Sequence, residues 1–262
     1  MLKLIVSLSL LTLLIACEHP EQAKLRDSNV AINKAVQHPA RPVDDVKRDK
    51  IRAPDKVLDF FDIKKGDTVL ELLAADGYYT ELVSRCVGKT GKVYMQNNQQ
   101  FYDFQTDKGV IERLSENRLA NVIRLDSELT NLKVDENSID KLLMILVLHD
   151  FYWMEDDVSK VIHQIFNAIK PGGTLGIIDH AGVTGSGITQ ASDMNGNHRI
   201  DKQYVIRTML EHGFEFEQES DALANPKDNG TKAFFSPELK GKPTNRFMLK
   251  FTKPIAEKIS AR

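Results

Sequence analysis

Thr68-Val69-Leu70-Glu71-Leu72-Leu73-Ala74-Ala75-Asp76-Gly77-Tyr78-Tyr79-Thr80 decides the fold. Its first part, Thr68 to Leu73, is an almost unbroken apolar run, and Lys64-Lys65-Gly66-Asp67 before it is a turn. A short run without polar alternation reads as a strand buried on both faces. After Asp76-Gly77 the pattern becomes helical, over Thr80 to Cys86. A buried strand feeding a helix through a tight loop is the opening unit of a parallel sheet.

Downstream the same alternation continues. Strands are expected at Lys92–Met95, Asn121–Leu125, within Ser138–Leu148, and at Thr174–Ile178. Helices are expected at Lys108–Leu119 and Glu155–Ile169, the second stopped by Lys170-Pro171-Gly172-Gly173. Asp201–His212 is a further helix with Gly213 as its stop, followed by strands at Phe214–Glu219 and Arg246–Thr252. In the last strand Phe247, Leu249 and Phe251 alternate with Arg246, Met248, Lys250 and Thr252, which predicts one more polar face. Upstream, Val46–Arg52 and Asp55–Phe61 are short helices, the second opened by Pro54. The pattern is that of an α/β chain with a doubly wound, mainly parallel sheet of seven strands.

In such sheets ligands bind beyond the carboxyl ends of the strands, near the point where strand order reverses. The residues after each strand therefore carry the function. Glu71 to Gly77 resembles the first motif, E/D-x-G-x-G-x-G, of class I SAM-dependent methyltransferases. More narrowly, the chain is similar to a family of predicted, often exported bacterial methyltransferases. The likeness rests on the Arg- and Pro-containing lead Arg52–Phe61, Gly77–Glu81, Asp179-His180 and the later His198-Arg199-Ile200-Asp201, and it runs from about Val46 to Pro254. It implies a Rossmann-like sheet of the class I methyltransferase type. It also implies S-adenosylmethionine as cofactor and methyl transfer to a small or medium substrate. A non-catalytic, ligand-binding or accessory protein that retains this fold is the alternative.

On that resemblance the cofactor candidates are Glu71, Gly77, Gln96 and Asp126. Glu71 and Gly77 keep the outer motif positions, whereas Leu73 and Ala75 replace glycines. A side chain at either position narrows the approach to a ligand and resists a positive φ. Gln96 and Asn97 follow the second strand, where an acid usually meets the ribose hydroxyls. Asp126, after the third strand, is placed to meet the adenine amino group, or else serves as a helix cap or turn residue.

The catalytic candidates are His149, Asp150, Asp179 and His180. His149-Asp150-Phe151-Tyr152-Trp153 follows the fourth strand, beside the transferred methyl group in these enzymes. A histidine of near-neutral pKa can take a proton from an O- or N-nucleophile, with Asp150 orienting it. The aromatics can cage a sulfonium, or simply cap the sheet edge. Asp179-His180 ends the fifth strand and faces the same cleft, and His198 lies on a Gly- and Asn-rich loop able to fold over it. None of these groups has tight ligand spacing in the sequence, so no metal site is expected. Asp193–Asn197 begins like a calcium loop, but His198 and Tyr204 stand where such a loop needs Gly and Glu.

The amino-terminal segment speaks to location. Leu4–Ala16 is apolar but short of the ~20 residues needed to span a bilayer, and it follows a single positive charge at Lys3. Leu14-Ile15-Ala16-Cys17 resembles a lipobox. The expected organisation is thus a signal peptide over 1–16, a lipidated Cys17 with a polar tether or loosely docked arm over 17–45, and one domain over 46–262. The expected location is the bacterial cell envelope, tethered to the outer membrane and facing the periplasm. Cys86, the other of the two cysteines, packs as a small apolar residue. A net charge of −2 with interspersed signs gives no basic field for nucleic acid.

Overall fold

The computed structural model describes residues 20–103, 107–154 and 157–255. The expected signal peptide and the expected lipidation site, Cys17, lie outside the described residues. The strands are β1 Thr68–Leu72, β2 Lys92–Asn97, β3 Val122–Asp126, β4 Ile139–Ile145, β5 Ile169–His180, β6 Glu215–Ser220 and β7 Arg246–Thr252. They form one seven-stranded sheet in the order β3-β2-β1-β4-β5-β7-β6. β1 to β5 are parallel, and β7 is antiparallel to both of its neighbours. Strand order reverses between β1 and β4, so their carboxyl ends frame the crevice where ligands bind in such sheets.

The helices are α1 Pro20–Val36, α2 Val43–Arg52, α3 Pro54–Phe60, α4 Tyr78–Val87, the single turn α5 Gln99–Phe101, α6 Asp107–Leu114, α7 Leu148–Met154, α8 Val158–Ala168 and α9 Lys202–Glu211. The two-residue period of the strands sorts side chains onto the two faces. Leu70, Leu142, Met144, Ile177 and Leu249 pack with Phe151, Ile162, Ile165 and Met209 of α7, α8 and α9. Val69, Leu143, Ile145, Ile178 and Met248 pack with Leu58, Leu82 and Val83 of α3 and α4. Full burial on both faces is why these strands lack polar alternation.

Three expectations are sharpened. Of the two readings of the stretch before residue 46, the docked arm fits better: it contains α1, whose Ile32 and Ala35 are buried in the second of these cores. Two small apolar side chains in a polar segment suffice because α3 and α4 supply the remaining surface. The second face of β7 is the more polar one, as expected for Lys250 and Thr252, which are half-buried and bonded to Glu217, but its Arg246 and Met248 are buried. Finally, Lys170–Gly173 does end α8, but it continues as an irregular start to β5, where the register with β4 shifts between Ile139 and Lys141.

Candidate active site

The loop after β1 runs through three left-handed residues, Leu73 (φ 46°), Ala75 (φ 51°) and Gly77 (φ 79°). The backbone thus takes a glycine-type path even where side chains occupy the motif. Side chains of β2 hold it there. Leu73 N–H donates to Gln96 Oε1 at 2.9 Å, and Ala75 N–H donates to Asn97 Oδ1 at 2.9 Å. Gln96 Nε2 in turn donates to the Ser127 carbonyl at 2.6 Å, and Asn97 Nδ2 to the Ala75 carbonyl at 3.1 Å. Gly77 caps α4 without a side chain, and a Cβ there would come within 2.7 Å of Met95 Cε.

This corrects the reading of Gln96 as a ribose ligand. Gln96 is fully buried and both ends of its amide are spent on the backbone. Asn97 is engaged in the same way. Glu71 is also buried, accepting a hydrogen bond from Thr80 Oγ1 at 2.5 Å. Burial pushes its carboxyl up to about 7, only partly offset by the Thr80 hydroxyl and the Arg52 guanidinium. Glu71, Leu73, Ala75, Arg52, Tyr78 and Phe101 line a cavity of about 150 Å3. Asp126 stands at the end of β3 in the wall of a second, polar cavity of about 410 Å3, with Asn97, Gln99, Tyr102 and Lys133. Its carboxylate accepts from Arg124 Nε at 2.8 Å and from the Tyr102 hydroxyl. Despite partial desolvation, Arg124 and Tyr102 hold it below the usual carboxylate range. Phe101 belongs to one cavity and Gln99 and Tyr102 to the other, so the α5 turn is the partition between them. A larger recess, about 590 Å3, opens at the opposite ends of β2 and β3, beside Gly91 and Asn121, away from these loops.

A buried ionic network lies beside Arg52 and Tyr78, two residues of the first cavity's wall. Arg113 bonds Asp45 at 2.5 Å and Glu81 at 2.8 Å, and Arg118 bonds the same Glu81 at 2.8 Å. Tyr78 donates to Asp49 at 2.6 Å, and Arg52 lies 4.8 Å over the Tyr78 ring. These contacts join α2, α4 and α6. None of the pairs named is marked by local spacing, because the partners come from α2, α4, α6 and the turn after α6.

At the ends of β4 and β5 the four catalytic candidates do come together. Asp179, fully buried, accepts His149 Nδ1–H at 2.6 Å, the His149 amide at 2.8 Å and the His180 amide at 2.7 Å. Asp150 lies 3.2 Å from His149 Nε2 and accepts Trp153 Nε1–H at 2.8 Å. Burial alone would lower the His149 pKa, but Asp179 and Asp150 outweigh it and raise it to about 10. The two carboxylates thus favour the protonated ring of His149, against the near-neutral pKa expected of a proton acceptor. Asp179, not Asp150, orients its ring. His180 has the opposite state. Burial, the His149 cation, Arg199 and Arg246 hold it neutral, with Nδ1 2.7 Å from Thr244 Oγ1 and the ring stacked 4.5 Å from Phe234. His198 is delivered by its loop in a left-handed conformation (φ 50°), with Nδ1 3.1 Å from Asp150 Oδ1. Thr244 and Phe234 were not distinguishable in the sequence. Arg199 was visible within His198–Asp201, and it proves to be fully buried and paired with Asp228 at 2.8 Å.

The two groups of candidates meet different surfaces. The cavity beside Glu71 includes Ile145, Leu146 and Val147 of the β4 end, whereas His149, Asp150, Asp179 and His180 are not among the residues that line it.

Comparison with known proteins agrees with this architecture. Residues 83–177 match the model of a methyltransferase domain family. The ubiquinone/menaquinone biosynthesis C-methyltransferase UbiE of Hydrogenovibrio crunogenus is 24% identical over 164 residues, 60% of this chain and 59% of that protein. The Escherichia coli UbiE is 27% identical over 127 residues, 47% of this chain and 46% of its own length. The chain thus spans about half the length of the curated relatives it matches. A SAM-dependent methyltransferase of Aquifex aeolicus superposes with a TM-score of 0.58 at 21% identity, covering 86% of this chain and 98% of that one. The cyclase SpnF has the same fold, with a TM-score of 0.56 at 14% identity over 90% of this chain and 96% of its own. Sheet order and the left-handed loop after β1 define a class I, Rossmann-like methyltransferase fold. Residues 83–177 carry the match to the methyltransferase domain family, and the chain as a whole shares the fold of SAM-dependent methyltransferases of known structure.

Proposed function

We propose that the chain is a lipid-anchored SAM-dependent methyltransferase of the bacterial cell envelope, acting on a small or medium substrate. The observation that carries the catalytic half is the backbone after β1. Leu73, Ala75 and Gly77 are all left-handed, although two of them have side chains that resist this conformation. A strained loop held by Gln96 and Asn97 is what close approach of a ligand to the backbone requires. The fit to the cofactor is in two halves. The cavity beside Glu71 is smaller than the ~300–1,000 Å3 of ordinary ligand pockets. The polar cavity beside Asp126 lies within that range. Glu71 would face the aminoacyl portion and Asp126 the adenosine portion, and the α5 turn must yield for one molecule to occupy both. Bound SAM supplies an electrophilic methyl group. Asp150, Asp179 and His149 would fix the reacting end, and neutral His180 is the ring able to accept a proton.

The test is calorimetric titration of the full chain in detergent with SAM and with its demethylated product. Saturable heat with either supports the assignment, and none at millimolar concentration refutes it. A second reading, a non-catalytic ligand-binding lipoprotein with this fold, is favoured by the small cavity and by the burial of His149 between two carboxylates. Binding of the demethylated product without methyl transfer to any of a panel of oxygen, nitrogen, sulfur and carbon nucleophiles would select it. The anchor rests on Leu14-Ile15-Ala16-Cys17. Cys17→Ser is expected to abolish fatty-acid labelling and release the chain from the membrane fraction, and unchanged labelling would refute it.

A further inference from the structure

We propose that His149, Asp150 and His198 form a three-ligand site for a divalent first-row cation of the zinc type at the carboxyl end of β4. Their ligand atoms all lie within 4.8 Å of one another. His149 Nε2 and His198 Nδ1 stand 3.2 and 3.1 Å from Asp150 Oδ1. In a tetrahedral site with metal–ligand bonds of about 2.0–2.1 Å, neighbouring donors are roughly 3.3 Å apart. Two edges of such a tetrahedron are therefore already in place, and the third, within 4.8 Å, closes with a shift of at most ~1.5 Å.

The surrounding contacts carry the argument further. A metal-binding histidine presents one ring nitrogen to the ion and donates the other N–H to a carboxylate or carbonyl, which fixes ring and tautomer. Both rings meet this condition. His149 Nδ1–H is held by Asp179 at 2.6 Å, and His198 Nε2–H by the Met194 carbonyl at 2.8 Å. The nitrogens left over are the two that converge on Asp150. Trp153 Nε1–H binds Asp150 Oδ1 and fixes the carboxylate as well. A bound cation takes the place of the His149 Nε2 proton; with both rings then neutral, Asp150 and Asp179 leave two negative charges, the complement of one divalent cation. Imidazole and carboxylate donors suit zinc and its late first-row neighbours. His149 is nearly closed to solvent, whereas the side chains of Asp150 and His198 keep 13% and 12% exposure, so the open coordination position has a route to solvent.

The test uses tag-free full-length protein in detergent, stripped with a chelator and dialysed against Zn2+, with bound metal counted by mass spectrometry. One zinc per chain is expected, and Co2+ in its place should show the visible bands of a four- or five-coordinate N/O site. His198→Gln and Asp150→Asn should each lose bound metal, and Asp179→Asn should weaken affinity ~10–100-fold. His163→Gln, on the exposed face of α8, should retain it. Circular dichroism of each variant separates loss of the site from loss of the fold. Substoichiometric zinc in the wild type, or His198→Gln and folded Asp150→Asn that bind as the wild type does, overturns the proposal. Loss of zinc in His163→Gln alone would assign the metal to the surface and overturn it too.

Discussion

Leu73 sits 2% exposed with its backbone at φ 46°, so one residue carries two opposed contributions to stability. Its side chain belongs to the core shared with α7, α8 and α9, and Leu→Ala truncations in such cores cost about 2–5 kcal/mol. Its backbone is in the left-handed region, which costs a residue with a Cβ about 1–2 kcal/mol and glycine nothing comparable. Comparing Leu73→Ala with Leu73→Gly isolates the second term, because both remove nearly the same side chain. At an ordinary position glycine is the less stable of the two by about 0.5–1 kcal/mol. Here the order should invert, with Leu73→Gly more stable than Leu73→Ala by about 1 kcal/mol, or about 2–4 °C in Tm. Urea unfolding of both variants measures it. A glycine variant equal to or weaker than the alanine variant would refute the left-handed strain. Both variants also enlarge the cavity beside Glu71, so tighter binding of SAM than in the wild type is expected if Leu73 restricts it.

Three further outcomes follow from the buried titratable groups and the loop. Glu71 has a folded pKa of about 7, above its ordinary 4.5, so its contribution is full below pH 4.5 and is lost as pH rises through about 7. Glu71→Gln should therefore stabilise the fold at pH 8 but not at pH 4.5, and an equal Tm difference at both would contradict the assignment. His149 is raised from 6.5 to about 10, so the stability from its contact with Asp179 is complete below pH 6.5 and disappears as pH rises through about 10. The Tm gap between wild type and Asp179→Asn should narrow from pH 6.5 to 10, and a constant gap would rule this out. Gly77→Ala adds a Cβ 2.7 Å from Met95 Cε at φ 79°, and should lose more than ~1 kcal/mol in urea unfolding and weaken SAM binding. A neutral effect would mean that the loop does not need glycine there.

Much of the sheet could be read directly because burial on both faces leaves a continuous apolar run, as at Val69–Leu72 and Leu142–Ile145. The end of each strand could also be read, and with it the positions of Glu71, Asp126, His149 and Asp179. The role of Gln96 could not, since an amide after β2 can serve a ligand or a loop, and only the path of Leu73 N–H chose the loop. His198 lies 48 positions from Asp150, and no local pattern signals their contact. The sequence leaves the docking of α1 open, because Ile32 and Ala35 form too small an apolar stripe to decide it against polar neighbours.

By itself the sequence determined the alternation of strands and helices, the place of each candidate at a strand end, and the lipobox-like segment that governs the expectation of an anchor. These are local properties, set by side-chain period and by short motifs. Only the tertiary structure decided that Leu73 and Ala75 follow a glycine's path and that His149 sits between two carboxylates. It also decided that His198 closes on Asp150. Each depends on groups far apart in the chain, whose burial and charge take effect only once the sheet brings them together.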